Sequence, residues 1–237
     1  MHYVMSDIHG NRRRFDAVMS QIDLQPEDTL YVLGDVIDRH PYGIELLWRL
    51  MKMPNACLLL GNHEFMMLNA LRERGEAMPW PRREESLEHW FYNGGEPTLE
   101  AFRALTPTQQ NTVKEYLKTR PLSAELTVNG RMYRLVHAAP VELFDAAAAE
   151  RYTSETEFAV WYRLEQFPVL SGAETLIFGH TPTVYYQKDN PLSVWRGAGA
   201  IDVDCGSGFP EKTSFFHPQQ GRLACLCLED EREFYSE

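Results

Sequence analysis

The sequence has few cysteines and no long apolar run, and both shortages exclude classes of protein. Its 237 residues include four cysteines, Cys57, Cys205, Cys225 and Cys227, without a CxxC pair or zinc-finger spacing. Three of them lie in apolar stretches, where cysteine usually packs as a small hydrophobic residue, so we expect reduced, buried thiols. No apolar stretch is long enough to cross a bilayer, and no secretory signal pattern follows Met1, so we expect a cytoplasmic protein.

Basic residues are also scarce. Lysine and arginine total 23 against 34 aspartate and glutamate residues, which gives a formal net charge of −11 at pH 7. A chain of this charge is not expected to coat nucleic acid or an anionic membrane, although a local cationic site for an anionic substrate is compatible with it. Apolar residues make up 44% of the chain, which excludes a disordered or fibrous protein, and the length predicts one domain over residues 1–237.

Seven short apolar runs predict buried strands. Each run is rich in β-branched or large apolar residues and is bounded by turn residues. Apolar residues also recur at helical spacing over 15–22, 44–51 and 65–71, between the early runs. This alternation predicts a βαβαβ unit with parallel strands. The seven runs are 3–5, 29–33, 57–60, 133–136, 175–178, 200–203 and 223–228.

The rest of the chain predicts further elements around this unit. Residues 107–119 predict one more helix, with Thr106 as its N-cap and Pro107 in its first turn, and residues 141–166 predict a partly helical stretch. The later apolar runs have shorter connections, so we expect a more antiparallel second half. The predicted fold class is α/β, a two-sheet β-sandwich with flanking helices.

Residues 76–98 mix proline, tryptophan, charge and a Gly-Gly pair, which predicts an inserted loop or short helix. Two interpretations stay open for this segment. Its aromatic residues could wall one side of a substrate cleft while its arginines steer phosphate, or the segment could pack only on itself. The residues concerned are Trp80, Trp90, Phe91, Tyr92, Arg82 and Arg83.

Polar residues follow five of the predicted strands, at the point where each strand ends. Because ligands bind beyond the carboxyl ends of strands in open α/β sheets, we expect these side chains to converge. Each alone has an ordinary explanation, since such a residue is often a helix cap, a turn former or a core histidine. Together they match the donors that Mn²⁺, Fe or Zn²⁺ take in catalytic sites, and the lack of cysteine disfavours structural zinc. The residues are Asp7, His9, Asp35, Asn62, His137 and His180.

Five sequence motifs follow one another along most of the chain. They are DIHG at 7–10, GDVIDR at 34–39, GNHE at 61–64, the strand-ending His137, and GHT at 179–181. Together they resemble the metallophosphoesterase superfamily and, within its phosphoprotein phosphatase branch, the small bacterial and bacteriophage lambda-type serine/threonine protein phosphatases. The resemblance implies the βαβαβ metallophosphoesterase fold. It also implies a centre of two divalent metal ions, with Mn²⁺ expected and Fe or Zn²⁺ as alternatives.

The resemblance implies a role for each residue of these motifs. His63 would be the general acid that protonates the leaving oxygen, and Asp38 would hydrogen-bond its imidazole and raise its pKa. Arg39 would bind phosphate through its planar guanidinium. Arg163 is a weaker match to a second phosphate-binding arginine, with a solvated surface arginine as the alternative. The implied metal ligands are Asp7 and His9 for the first ion, Asp35 bridging both ions, and Asn62, His137 and His180 for the second.

The implied activity is hydrolysis of phosphoserine and phosphothreonine in proteins, with phosphotyrosine left open. A water held between both metal ions would attack phosphorus directly, without a phosphoenzyme. The implied partner is a phosphoprotein or phosphopeptide, with no nucleic acid and no membrane, and the oligomeric state is undetermined.

Two other functions compete with this one. Symmetrical dinucleoside tetraphosphate hydrolases share the motifs but typically read GNHD, so Glu64 favours the phosphatase. A catalytically inactive scaffold is disfavoured, because every expected ligand is present.

The sequence departs from the family pattern directly after the GDVIDR motif. His40 and Pro41 follow Arg39 where the family most often has glycine, and proline restricts the backbone of that loop. Residues 201–208 resemble the closing strand of the family. There, Asp202 or Asp204 either supports the site from behind or forms a turn.

Overall fold

The computed structural model describes residues 1–72, 83–165, 174–197, 199–210 and 220–236, which contain ten strands and seven α-helices. The strands are β1 (His2–Met5), β2 (Thr29–Val32), β3 (Ala56–Leu58), β4 (Ser123–Val128), β5 (Arg131–Val136), β6 (Thr175–Phe178), β7 (Trp195–Gly197), β8 (Ala200–Asp202), β9 (Ala224–Cys227) and β10 (Glu233–Tyr235). The helices are α1 (Arg12–Met19), α2 (Gly43–Lys52), α3 (Asn62–Ala70), α4 (Arg83–Tyr92), α5 (Glu96–Arg103), α6 (Pro107–Lys118) and α7 (Glu155–Trp161).

The strands form two mixed sheets, in the orders β10-β9-β1-β2-β3 and β4-β5-β6-β8-β7. Three neighbouring strands are parallel in each sheet, β1-β2-β3 in the first and β5-β6-β8 in the second, and the remaining pairings are antiparallel. The α/β two-sheet prediction is therefore confirmed. The prediction of a more antiparallel second half is confirmed, because every antiparallel pairing among the described strands involves a strand from β4 onward, although β5, β6 and β8 are parallel to one another.

Three strands lack any counterpart in the sequence prediction: β4, β7 and β10. All three lie at sheet edges. Exposed and half-buried residues alternate along most of β4, and β7 and β10 have only three residues each. An edge strand with one face toward water does not need a continuous apolar run, so the run that reveals a buried strand is missing from its sequence.

Local capping residues fix where several helices begin. The Asn11 side chain accepts a hydrogen bond from the backbone N–H of Arg14 at the start of α1. Thr106 and Gln109 form a reciprocal capping box at the start of α6, which confirms the predicted helix and its cap. Within 76–98, residues 83–92 form α4 and α5 begins at Glu96, so this part is helical; residues 73–82, which include Trp80 and Arg82, lie outside the described residues.

Apolar side chains fill layers between and outside the sheets. Between them, Val4 of β1 belongs to one core with Leu135 of β5 and Ile177 of β6. Because successive strand residues point to opposite faces, Met5 packs toward the helices that cover the first sheet, and Phe178 packs toward α7 on the second. Residues that follow β1, β2, β3, β5 and β6 then meet at one end of the sandwich. Within the described residues, no helix combines the length and the apolar character needed to cross a membrane.

We expect Leu135→Ala to lower the free energy of unfolding by about 3 kcal/mol, because it removes a fully buried side chain and leaves a cavity between the sheets. Met132→Ala on the same strand is the matched control, since Met132 is 43% exposed. The control should cost less than about 0.5 kcal/mol. Urea unfolding measures both, and equal losses would contradict the assignment of Leu135 to the inter-sheet core.

Candidate active site

The loops that carry the predicted site residues have an unusual backbone. Of the nine non-glycine residues with positive φ among the described residues, six are predicted site residues. L-residues rarely adopt this conformation, and it typically costs about 1–3 kcal/mol per residue. The backbone strain is therefore concentrated where the predicted ligands lie. The six are Asp7, His9, Asp35, Asp38, Arg39 and His180, with φ between +52° and +72°.

The Glu64 carboxylate holds the loop after β2 against the start of α3. It is fully buried and accepts hydrogen bonds from the backbone N–H groups of Asp35 and Val36, both at 2.8 Å. Weaker bonds come from the N–H groups of Gly61 at 3.2 Å and Ile37 at 3.4 Å. Burial raises the pKa of Glu64 to about 7, and the N–H groups of Asp35 and Val36 oppose that rise. Glu64 therefore joins the loop after β2 to the first residues of α3.

Gly61 makes this approach of two loops possible. A Cβ atom at this position would lie 2.2 Å from Asp35 Oδ1 and 2.6 Å from Glu64 Oε2. Both distances are far shorter than van der Waals contact, so a side chain here would push the Asp35 carboxylate out of place. The glycine of the GNHE motif is therefore needed for close packing.

The Asp35 carboxylate faces one group of ligands with each oxygen. Its Oδ2 lies 3.7 Å from His9 Nε2, and that nitrogen is also 3.7 Å from Asp7 Oδ1. Its Oδ1 lies 3.5 Å from His137 Nε2. On that second side, Asn62 Oδ1 lies 2.9 Å from His137 Nε2 and 3.0 Å from His180 Nδ1. The six predicted ligands thus form two groups that share Asp35.

Hydrogen bonds to backbone carbonyls orient the three histidines. His9 Nδ1 donates to Ile37 O at 3.1 Å, His137 Nδ1 donates to Leu33 O at 2.7 Å, and His180 Nε2 donates to Trp161 O at 3.2 Å. Because a carbonyl can only accept, these ring nitrogens carry the hydrogen. Burial lowers the pKa of all three histidines, that of His9 to about 3 with help from the Arg39 charge, so they are neutral. Their other nitrogens present lone pairs to the cluster.

This donor set fits divalent cations. Lone pairs of His137 and His180 converge on the Asn62 oxygen, which is favourable only around a positive charge. Burial, together with the neighbouring charges of Asp7 and Glu64, raises the pKa of Asp35. For Asp7, burial opposes ionisation, while the hydrogen bond from the His180 N–H at 2.9 Å favours it. A cation shared by these buried carboxylates would offset the cost of keeping both ionised.

His63 lies beside the Asp35 carboxylate, and Asp38 holds the other nitrogen of its ring. Its Nδ1 donates to Asp38 Oδ2 at 2.6 Å, and its Nε2 lies 3.8 Å from Asp35 Oδ2 and accepts from Arg39 Nη2 at 3.2 Å. Burial, and then the Arg39 charge, hold the pKa of His63 well below its usual range. The expected rise from Asp38 is therefore not found, because desolvation and the cationic neighbour dominate.

Two residues that the motifs do not contain hold Asp38. Trp90 Nε1 donates to Asp38 Oδ2 at 2.7 Å, and the Asp38 N–H donates to Thr98 Oγ1 at 2.9 Å. Burial raises the pKa of Asp38 to about 7, while Thr98 and Trp90 oppose that rise. Trp90 is fully buried, so the suggestion that it walls the substrate cleft is wrong. The Gly94-Gly95 pair in the sequence could have indicated that another group packs closely here, because glycine has no Cβ atom. In the structure, a Cβ atom on Gly95 would lie 2.5 Å from Trp90 Nε1.

A cleft with a volume of about 570 Å³ opens over this cluster, and both candidate phosphate-binding arginines line it. Arg39 is exposed, and its N–H is fixed to Gly94 O at 2.9 Å. Arg163 Nη1 donates to Thr181 Oγ1 at 3.0 Å and to His180 O at 3.3 Å, which ties it to the last motif. Of the 76–98 aromatics, Tyr92 lines the cleft and is 89% exposed, while Phe91 is half-buried against the core.

Asp202 and Asp204 form a turn at the floor of the same region. Asp202 Oδ1 accepts the Asp204 N–H at 2.9 Å, and Asp204 Oδ1 accepts the Gly206 N–H at 2.9 Å. Both carboxyls are buried, and burial raises their pKa values. Of the two roles suggested for them, the hydrogen bonds correspond to the turn, and Asp204 in addition lines the cleft.

We expect Glu64→Gln to lower the free energy of unfolding by about 2–4 kcal/mol, because an amide NH₂ would replace one acceptor and face backbone N–H donors. Mn²⁺ binding should weaken as well, since the same bonds place Asp35. Glu100→Gln on α5 is the control, because Glu100 is exposed. Urea unfolding and calorimetric Mn²⁺ titration provide the two readouts. A variant as stable as the wild type would disprove the role given to Glu64.

Comparison with known proteins assigns the chain to a family. The family model described as calcineurin-like phosphoesterase matches residues 3–184. The chain is 27% identical over 226 residues to serine/threonine-protein phosphatase 2 of Salmonella typhimurium, and the match covers 90% of this chain and 91% of that protein. It is 24% identical over 196 residues to the symmetrical bis(5'-nucleosyl)-tetraphosphatase of Paracidovorax citrulli. That match covers 82% of this chain but only 62% of the relative's length.

Solved structures agree on the fold. A crystal structure provisionally assigned as a diadenosine tetraphosphatase superposes with a TM-score of 0.62 at 16% identity, covering 99% of this chain and 91% of that one. A metallophosphoesterase from Sphaerobacter thermophilus gives a TM-score of 0.54 at 16% identity, covering 99% and 86%. With the family model matching residues 3–184, the chain belongs to the calcineurin-like phosphoesterases and is a metallophosphoesterase hydrolase.

Proposed function

We propose that this chain is a metal-dependent phosphomonoesterase that hydrolyses phosphoserine and phosphothreonine in proteins. One observation carries the proposal. The His63–Asp38 pair, the exposed Arg39 and the Asp35 carboxylate lie within hydrogen-bond or ion-pair distance of one another at the same cleft. A proton donor, a phosphate clamp and a cation-binding carboxylate in one place are the parts that phosphate-ester hydrolysis needs.

The metal-binding residues are proposed as they were predicted. Asp7 and His9 would hold one ion, Asn62, His137 and His180 the other, and Asp35 would bind both. Two divalent ions, with Mn²⁺ as the expected one, would supply charge neutralisation and a nucleophilic water at neutral pH. The three carbonyl-bound histidines keep their lone pairs directed inward without rearrangement, which favours rapid and tight loading.

The chain's own groups then bind and protonate the substrate. Arg39 presents a planar guanidinium to two phosphoryl oxygens, and Arg163 provides a second cation in the same cleft. The Nδ1–H of His63 donates to Asp38, so its Nε2 faces the Arg39 guanidinium. A proton on Nε2 is transferred to the leaving oxygen as the ester bond breaks. Burial and the Arg39 charge disfavour that proton in the free protein, so the negative charge of the bound phosphate has to favour it.

Two findings support a phosphoprotein over a dinucleotide as the substrate. The match to the Salmonella phosphatase covers about nine-tenths of both proteins, whereas the tetraphosphatase relative is matched over 62% of its length. Glu64 also follows the phosphatase form of its motif. We propose a cytoplasmic enzyme without a nucleic-acid partner, in keeping with its net charge of −11.

A specific observation favours the second candidate, a hydrolase of dinucleoside polyphosphates. Tyr92 and Tyr185 line the cleft and are 89% and 73% exposed, so their rings are available to stack on a nucleobase. The family matches include tetraphosphatases as well. This candidate keeps the same metal ligands and the same His63 and Arg39 chemistry, and it differs only in the leaving group.

We expect His63→Gln to reduce kcat on a phosphoserine peptide by about 10²- to 10³-fold, because the alkoxide leaving group then departs without a proton. On p-nitrophenyl phosphate, whose leaving group is stable as an anion, the loss should stay below about tenfold. His2→Gln is the control, since His2 pairs with Glu229 and does not line the cleft. Equal losses on both substrates would show that His63 does not act as the acid.

We expect metal-stripped protein to be inactive and to recover with Mn²⁺, and Asp35→Asn to abolish the recovery, since both groups of ligands share this carboxylate. Reconstituted enzyme should show a kcat/KM for phosphoserine peptides at least about tenfold above that for diadenosine tetraphosphate. Calorimetry of Mn²⁺ binding checks the ligand role independently of turnover. The opposite substrate preference would replace the phosphoprotein by the dinucleotide while leaving the hydrolase assignment intact.

A further inference from the structure

A buried arginine that belongs to none of the motifs fixes one wall of the cleft. Arg14 on α1 is fully buried, and its Nη1 donates to Ser207 O at 2.5 Å and, more weakly, to Phe209 O at 3.5 Å. Residues 206–209 form a turn that is closed by a hydrogen bond from the Phe209 N–H to Gly206 O at 2.9 Å. It is here called the Gly208 turn, and its Gly208 and Phe209 line the cleft. Burying a guanidinium is costly unless hydrogen bonds compensate, so its placement behind this turn constrains the turn strongly.

The Gly208 turn packs directly against the candidate phosphate-binding residue. A Cβ atom on Gly208 would lie 2.4 Å from Arg39 Nη1 and 2.4 Å from His9 Cδ2, so its backbone touches both side chains. Gly94 is a second close contact, since a Cβ atom there would lie 3.1 Å from Arg39 Cγ. Because Arg39 is otherwise exposed, these two glycine backbones limit the directions its guanidinium can take.

We propose that Arg14 is a positioning residue for phosphate binding. By holding the carbonyls on both sides of Gly208, it keeps this glycine against Arg39 and so keeps the Arg39 guanidinium directed into the cleft. Ser207 adds a second attachment, because its hydroxyl donates to Ile8 O at 3.3 Å, next to the ligand His9. The inference rests on the proposed function, because it depends on Arg39 binding phosphate. Arg14 itself does not contact phosphate and acts only by holding the Gly208 turn.

The chemistry of the contact decides which substitutions are informative. Methionine has a similar length and suits a buried position but cannot donate to the Ser207 carbonyl. Lysine keeps one cationic donor on a flexible stem, so it should restore part of the contact. Arg13 precedes Arg14 on the same helix and is exposed, which makes Arg13→Met a matched control for loss of charge from α1.

The test measures binding of inorganic phosphate to the Mn²⁺-loaded full chain by calorimetry, with kcat and KM for p-nitrophenyl phosphate alongside. Arg14→Met should weaken phosphate binding and raise KM by about tenfold while kcat changes by less than about threefold, because a clamp on the phosphate acts in the ground state as well as the transition state. Arg14→Lys should lose about threefold in phosphate affinity, and Arg13→Met should leave both quantities unchanged. If Arg14→Met does not fold, Arg14→Lys carries the test.

A double-mutant cycle with Arg39→Ala separates positioning from a general structural effect. If Arg14 acts through Arg39, Arg14→Met has no further effect on phosphate binding in the Arg39→Ala background. An equal loss in both backgrounds would overturn the inference, and so would a lower melting temperature with phosphate binding unchanged. If Arg39→Ala alone leaves phosphate binding intact, the proposed role of Arg39 fails, and that result is distinct from a failure of Arg14.

Discussion

The bonds between the Glu64 carboxylate and the backbone of the loop after β2 are the interaction on which the rest of the site depends. One buried side chain accepts from N–H groups on both sides of the cluster, at Asp35 and Val36 and at Gly61. The loop it holds contains Asp35, Asp38 and Arg39 with positive φ, a backbone that would relax without such partners. Since Asp35 is shared by both groups of ligands, its position determines whether they form one site.

The site also concentrates buried negative charge. The Asp7 and Asp35 carboxylates are buried beside histidines whose carbonyl bonds keep them neutral and oriented. An arrangement of this kind is preorganised for cations and is less stable without them. Any divalent ion that binds only the folded chain therefore stabilises the fold as well as supplying chemistry.

Support for the reactive groups comes from parts of the chain that look peripheral. The helices α4 and α5 contribute Trp90 and Thr98, which hold Asp38 and, through it, the His63 ring. This described part of the 76–98 segment therefore packs into the site rather than only on itself, and its Tyr92 faces the cleft. The 76–98 segment thus contributes to the surroundings of His63, because Gly95 allows the Trp90 indole to approach closely.

The sequence by itself determined the parallel βαβαβ unit, the buried strands and the polar residues at the strand ends that are the six predicted ligands. The elements follow from apolar periodicity, and the predicted ligands follow from the residue types at strand ends together with the family motifs. It did not reveal the edge strands β4, β7 and β10, whose exposed faces remove the apolar signal. The Trp90–Asp38 and Arg14–Ser207 bonds, the lowered pKa of His63 and the histidine tautomers were decided by tertiary structure alone. They depend on burial and on long-range contacts, which only the folded chain makes. The Trp90–Asp38 bond joins residues that are 52 positions apart in the sequence, and the Arg14–Ser207 bond joins residues that are 193 positions apart.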